Sequence, residues 1–371
     1  MEIPAYYMRG GTSKGVFFLA DDLPSDPAER DAVLLRVTGS PDPCGRHADG
    51  MGGAGAGMVV LVRASQRPDC DVDYLLGTVA TGEPRIDWSG NCADLSAAVG
   101  PFAIWRGFVP ARDSVTTVRI RQQDSGQVLL AHVPCRNGHP LEDGDFGEEG
   151  VPFPAAEIVL DYLAPAIAPP PLCPTGKVVD RLDVPGVGAI EATLVAAGHP
   201  TVFVLAAAAG LVGTELPERI NGDALLLARL EAIRAQGAVA MGLAPDAHDP
   251  PSVPAIALVA PRAGYRCSAG AWIEAERIDV LARILSTGRA CHGLSVTAGI
   301  ALAVAASLPG SVVQRAAAHS GGRTRIGHAS GTLSVGAVTA LRDGAWVMER
   351  AVISRSARRL MSGLAHVPER C

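Results

Sequence analysis

The stretch Tyr6–Pro24, "YYMRGGTSKGVFFLADDLP", sets a dense run of glycines and polar donors directly ahead of an apolar segment. A phosphate-cradling loop places its glycines ahead of a helix, so that free amides at the helix N-terminus face the anion. Here Val16, Phe17, Phe18 and Leu19 form a short β-branched and aromatic run that stops at Asp21-Asp22, which is the pattern of a strand. The stretch therefore reads as a donor loop for a small ligand, held in place by a buried strand. Arg9, Thr12, Ser13 and Lys14 are candidates to hold a carboxylate, Arg9 bidentately. Alternation along a strand sends Ser13 and Lys14 to opposite faces, so the two cannot serve one ligand equally.

Working outward, "GVFFL", "MVVLVRAS", "DVDYLLGTVA" and "VTTVRIRQQ" all carry strand-type runs broken by Gly and Pro. "SGNCADLSAAVGPFAIWRG" differs: its small residues suit a helix packed on every side, with Pro101 expected to kink or end the regular part. The proline-rich "PAIAPPPLCP" marks a crossing between domains, and after it the pattern restarts. "GHPTVFVLA" echoes "TSKGVFFLA", and "GRACHGLSVTAGIALAVAASLPG" echoes the first cysteine-led helix. The order is kept, loop and strand first, cysteine and helix second, which implies an internal duplication with two similar lobes facing a cleft. The expected first lobe is 1–173, completed by a returning C-terminal strand from about 345–371, and the second is 174–344.

Hydrophobic residues make up 48% and charged residues 19% of 371, the composition of a folded chain with ordinary cores. A net charge of −6 gives no basic footprint for nucleic acid. No signal-peptide pattern opens the sequence, no apolar run has membrane-spanning length, and the eight cysteines show no paired spacing. These features point to reduced thiols in a cytoplasmic protein with no metal site.

"GNC", Gly90 to Cys92, places a thiol at the start of the first buried helix, where the dipole and free amides favour thiolate and fit it to take a proton from carbon. A lone cysteine more commonly fills a small core space, but the echo at Cys291 argues against that for Cys92. Cys291-His292 is expected to begin the second helix and to offer a second proton-transfer group. "GHASGT", with His328 and Ser330, reads either as a second carboxylate-binding turn or as a plain hairpin. "DGMGGAGAGMVVLV" matches a dinucleotide fingerprint by letters, but a strand follows it, so it reads as a loop approaching a ligand.

"YYMRGGTSKGVFF", "GSPDP", "DGMGG", "GNCADLSAAVGPFAI", "GHPTVFV", "SLPGSVV", "RIGHASGTLSVGA" and "SRSARRLM" together resemble the family of 2-methylaconitate isomerases and 4-oxalomesaconate tautomerases. The resemblance implies an α+β fold of the diaminopimelate-epimerase type: two lobes, each a central helix wrapped by a mixed, barrel-like sheet, with the active site between them. It also implies movement of a C=C bond in an unsaturated carboxylate by allylic proton transfer, without a cofactor. Cys92 falls on the family's catalytic cysteine, with Cys291 or His292 as the second group. Substrate contacts are implied for Arg9, Gly11, Thr12, Ser13, Gly53, Met58, Asn91, His328 and Ser330; a homodimer is left open. Two departures stand out. Met58 occupies the place of a lysine in the family pattern, and Cys291-His292 replaces a His-His pair. The loss of a cation points toward a substrate with fewer carboxylates, such as an alkylproline-pathway precursor. The two cysteines keep an amino-acid racemase or epimerase open, and an accessory binding protein is the third reading.

Overall fold

The computed structural model describes residues 1–42, 44, 49–51, 57–89, 92–163, 171–248, 252–318 and 322–367. The chain divides into two compact units, Met1–Pro165 with Ser354–Cys371, and Ala166–Ile353.

In the first unit, β1 (Glu2–Gly10) and β2 (Ser13–Leu19) form a tight antiparallel pair in which Arg9 stands opposite Lys14. The C-terminal strand Ala357–His366 lies antiparallel on the outer side of β1. β2 runs parallel to β3 (Gly57–Ala64), and β3 antiparallel to β4 (Val72–Val79). β4 runs parallel to Ser114–Gln122, which pairs antiparallel with Val128–Arg136, and that strand with Ile158–Leu163. α1 (Pro27–Thr38) covers one face through Leu34 and Val37. Its start is set by Asp26, whose side chain accepts from the Glu29 amide, with Pro27 in the first turn.

α2 (Ala93–Trp105) packs against β1, β2, the C-terminal strand and the strands Ser114–Gln122 and Val128–Arg136. Every residue from Leu95 to Ile104 is buried, which only a run of small and apolar side chains allows on all faces. A Cβ at Gly100 would stand 2.9 Å from Ala131 Cβ, so glycine permits the close helix-to-sheet approach. Of the kink or end expected at Pro101, the end does not occur: the helix continues through it to Trp105. Phe102 packs edge-on to Tyr6 and against Phe17, and this burial outweighs the hydrogen bond that proline removes.

The second unit repeats this plan. Asp180–Val184, Gly188–Val195 and Thr201–Leu205 are successive antiparallel neighbours, and Thr201–Leu205 runs parallel to Ala255–Pro261. Ala255–Pro261 pairs antiparallel with Val280–Ser286, which runs parallel to Arg323–His328; two antiparallel pairings through Gly331–Arg342 to Ala345–Arg355 complete the sheet. The sequence of directions, two antiparallel, one parallel, one antiparallel, one parallel, two antiparallel, is the same in both units. So is the placement of helices: Ala224–Ala240 follows the third strand as α1 follows β2, and Val296–Ser307 holds the place of α2. The fold is thus α+β and internally duplicated. The strand Ala345–Arg355 pairs with Gly331–Arg342 and belongs mainly to the second unit, so the return to the first begins at Ser354 rather than near 345.

Cys291 departs from the expected helix start. The second buried helix begins at Val296 and is capped by Ser295, whose Oγ accepts from the Ala298 amide. Both helices follow the pattern Cys-x-x-Leu-Ser, but Asp94 favours a first turn at Cys92 and Gly293 stands in the matching place after Cys291. Ser295 is also the better cap, so the helix starts later there.

Candidate active site

The β1–β2 turn sits on the first turn of α2. A Cβ at Gly10 would lie 2.4 Å from the Asp94 carbonyl oxygen, and Gly11, at φ +52°, would place one 2.5 Å from the Asp94 carboxyl carbon. Only glycine lets the loop come this close. The second unit repeats the contact, since a Cβ at Gly198 (φ +63°) would lie 2.3 Å from the Thr297 carbonyl oxygen. In both units a glycine rests on the second residue of the buried helix.

This approach brings Ser13 to Cys92. The half-buried Cys92 is the N-cap of α2, and its Sγ donates to Ser13 Oγ at 3.4 Å. Its carbonyl accepts from the Ser96 amide and Oγ, each at 3.1 Å, and Ser96 Oγ is 2.9 Å from the Tyr74 hydroxyl, itself buried. The sulfur thus faces the donor loop while its backbone is fixed from below. Among the described cysteines, Cys70, Cys135, Cys173 and Cys267 are buried, Cys44 is exposed, and Cys92 and Cys291 lie between. Burial pushes the Cys173 thiol up to about 11, which makes it inert as a base near neutrality.

Arg9 and Thr12 both have partners within the protein. Arg9 Nη1 donates to the Gly11 carbonyl at 2.8 Å and to Ser356 Oγ at 2.9 Å, so that nitrogen braces the loop. Burial lowers its pKa, partly offset by Glu148. Thr12 donates its amide and hydroxyl to Asp94 Oδ2 at 3.1 and 2.8 Å. Gly11 donates its amide to the Ser356 carbonyl at 2.8 Å. Ser13 is the loop residue whose side chain meets the thiol. Met58, the second residue of β3, is half-buried, its carbonyl oxygen 3.0 Å from where a Gly15 Cβ would stand. Gly53 and Asn91 lie outside the described residues.

In the second unit, a backbone bond joins the Cys291-His292 stretch to the His328–Ser330 turn, while the Cys291 thiol donates to the Arg289 carbonyl at 3.8 Å. Ser330 donates its amide to the His292 carbonyl at 3.0 Å, and the Tyr265 hydroxyl reaches the carbonyls of His328 and Gly331 at 2.8 and 2.5 Å. His292 Nδ1 is 3.0 Å from Ser268 Oγ, and Nε2 is 3.3 Å from Glu218. The Cys291 amide donates to the Ile284 carbonyl at 2.9 Å. Asp94, Glu148, Arg355 and Ser356 in the first unit, and Glu218 and Ser268 in the second, escaped the sequence reading. The only signal was "SRSARRLM", whose Arg and Ser alternate in a strand-like stretch. Among the described residues no group of His, Cys, Asp or Glu is arranged to hold a metal, and no helix is long and apolar enough to cross a membrane.

A duplicated α+β fold with a thiol at the N-cap of a buried helix, facing a Gly-Gly-Thr-Ser turn, defines the class. The profile of the family described as PrpF protein matches residues 1–368, and the chain belongs to that family. It is 46% identical to a 2-methyl-aconitate isomerase of Shewanella oneidensis, covering 100% of this chain and 98% of that protein. It is likewise 46% identical to a 2-methyl-aconitate isomerase of Cupriavidus necator, over 99% and 98%. A crystal structure of methylitaconate-delta-isomerase matches with a TM-score of 0.88 at 35% identity, over 98% of this chain and 95% of that one.

Proposed function

We propose that the protein is an isomerase that moves a C=C bond within an unsaturated polycarboxylate by allylic proton transfer, with Cys92 as the proton-transfer group. The observation that carries this reading is the Cys92 Sγ to Ser13 Oγ contact at 3.4 Å, at a helix N-terminus and beside the glycine turn. The thiolate takes a proton from the allylic carbon, and the electron pair of that C–H bond spreads into the adjacent unsaturated carboxylate as a dienolate. Hydroxyl and amide donors near the helix start stabilise the charge that develops there. A proton returned at the far end of the allyl system completes the shift, so protons and electrons balance without an oxidant or reductant. The whole-chain identity to the relatives named above supports a tricarboxylate of the 2-methylaconitate type.

A second reading of the substrate rests on Met58. A thioether neither pairs with a carboxylate nor moves a proton, so a less-charged unsaturated acid suits a chain that carries Met58 where the family pattern has a lysine. Both readings are tested by proton NMR in heavy water with unsaturated mono-, di- and tricarboxylates. The proposed reaction gives a migrated double bond with solvent deuterium at a former allylic or vinylic position. α-Proton exchange of an amino acid with inversion, and no migration in any unsaturated acid, would select a racemase instead.

A further inference from the structure

Behind the donor loop lies a charged cluster that the reaction as described does not use. Asp94, in the first turn of α2, accepts from Thr12 through Oδ2 and from Arg355 Nε through Oδ1 at 2.8 Å. Arg355 Nε is also 3.4 Å from Glu148, and its Nη1 donates to the Ser354 carbonyl at 3.1 Å. Glu148 accepts from the Ser356 amide at 2.8 Å and hydroxyl at 2.7 Å. The Ser356 carbonyl in turn accepts from the Gly11 amide at 2.8 Å. The side chains of Arg355, Asp94 and Glu148 are only 11%, 18% and 7% exposed, so these contacts are largely shielded from water.

The loop is therefore held through Thr12 on Asp94 and Gly11 on Ser356, with the Arg9 brace on the Gly11 carbonyl beside them. Arg355 bonds Asp94 and precedes Ser356 in the chain, and it separates two carboxylates that otherwise repel across a poorly solvated space. We infer that Arg355 is the positioning residue of the donor loop, holding Gly11–Ser13 over Cys92 by tying Asp94 to the Glu148–Ser356 pair. The inference rests on the isomerase reading for the purpose of the loop, and on the contacts alone for its anchoring.

Hydrogen exchange read by mass spectrometry, with initial rates on 2-methylaconitate, tests it in the full chain. In Arg355→Met the Gly11 and Thr12 amides are expected to exchange at least about tenfold faster while the amides of β3 and β4 stay as protected as in wild type. KM is expected to rise more than kcat falls, because the loop loses order before the thiol is touched. Arg355→Lys, which keeps the charge but not the fork, should fall between the two in protection and in KM. Glu148→Gln added to Arg355→Met should recover part of the protection by removing the like-charge pair; this double variant also serves if the single one folds poorly. Unchanged exchange at Gly11 and Thr12 in Arg355→Met overturns the inference whatever the activity. Faster exchange with unaltered KM and kcat overturns the positioning role. Faster exchange in a protein whose wild type turns over no unsaturated acid leaves the anchoring standing and sinks the isomerase reading.

Discussion

Adding one methyl group at Gly10 perturbs the contact on which the site depends. An alanine Cβ there would lie 2.4 Å from the Asp94 carbonyl oxygen and 3.0 Å from Leu95 Cα. Both are backbone atoms of a buried helix, so the helix cannot yield by turning a side chain. Ordinary contact begins near 3.4 Å, so the turn must retreat by about 1 Å. Ser13 leaves with it, and the 3.4 Å contact to Cys92 Sγ lengthens beyond hydrogen-bonding reach. Misplacement on this scale costs roughly 10²-fold in rate, and the overpacking about 1–3 kcal/mol in stability. Gly10→Ala is to be compared with wild type for kcat/KM on 2-methylaconitate and for its urea midpoint. Loss of rate in a protein still folded in dilute urea is the expected result. Wild-type kcat/KM with an unchanged midpoint would refute the reasoning, because it would mean that the close approach of turn to helix is not needed.

Three further outcomes follow from particular residues. Met58→Lys should raise kcat/KM for a tricarboxylate relative to a less-charged unsaturated acid by about tenfold, one favourable ion pair in a half-buried site; efficient wild-type turnover of the tricarboxylate with no gain in the variant removes Met58 as a specificity determinant. Asp73, its side chain 1% exposed, is held by Arg121 through bonds of 3.0 and 2.7 Å and by Ser65 at 2.8 Å. Burial pushes its carboxyl up, but Arg121 and Ser65 outweigh that and hold it below the ordinary value. Arg121→Met should therefore cost about 3 kcal/mol in urea unfolding at pH 7, with a smaller loss near pH 3, where Asp73 protonates in the variant; an equal loss at both pH values would contradict the ion-pair account. Burial raises the Glu148 carboxyl above about 4.5 despite Ser356 and Arg355. The folded state then holds more protons than the unfolded one, so wild-type stability falls as pH rises from about 4.5 through the raised folded value. Glu148→Gln does not titrate, so its midpoint should gain on wild type across that window, and a difference independent of pH would count against it.

The duplicated fold was legible because its signals are local. Val16–Leu19 and the apolar run of β3 declare strands, and the small residues after Cys92 and Cys291 declare buried helices. The order in which they recur is what marks the repeat. Features decided by distant or competing residues were not legible. Asp94 and Arg355 are 261 positions apart, and nothing in a chain with many arginines says which one meets that carboxylate. The bond of Arg9 to Ser356 was likewise not legible, because it depends on the returning C-terminal strand that lies alongside β1. That the helix runs on past Pro101 was not legible, because propensity is local and the packing of Phe102 that overrides it is not. The Cys-x-x-Leu-Ser pattern points to a helix start at Cys291, whereas the stronger cap is Ser295, four positions on.

The most direct test of the central claim is proton exchange in heavy water with Cys92→Ser. The hydroxyl fills nearly the same volume beside Ser13, so the fold and its urea midpoint should stay close to wild type. A serine hydroxyl has far too high a pKa to act as the base, and both double-bond migration and deuterium uptake into 2-methylaconitate should fall by about 10³-fold or more. Exchange and migration at near wild-type rates in that variant would contradict the account and move the proton-transfer chemistry away from Cys92.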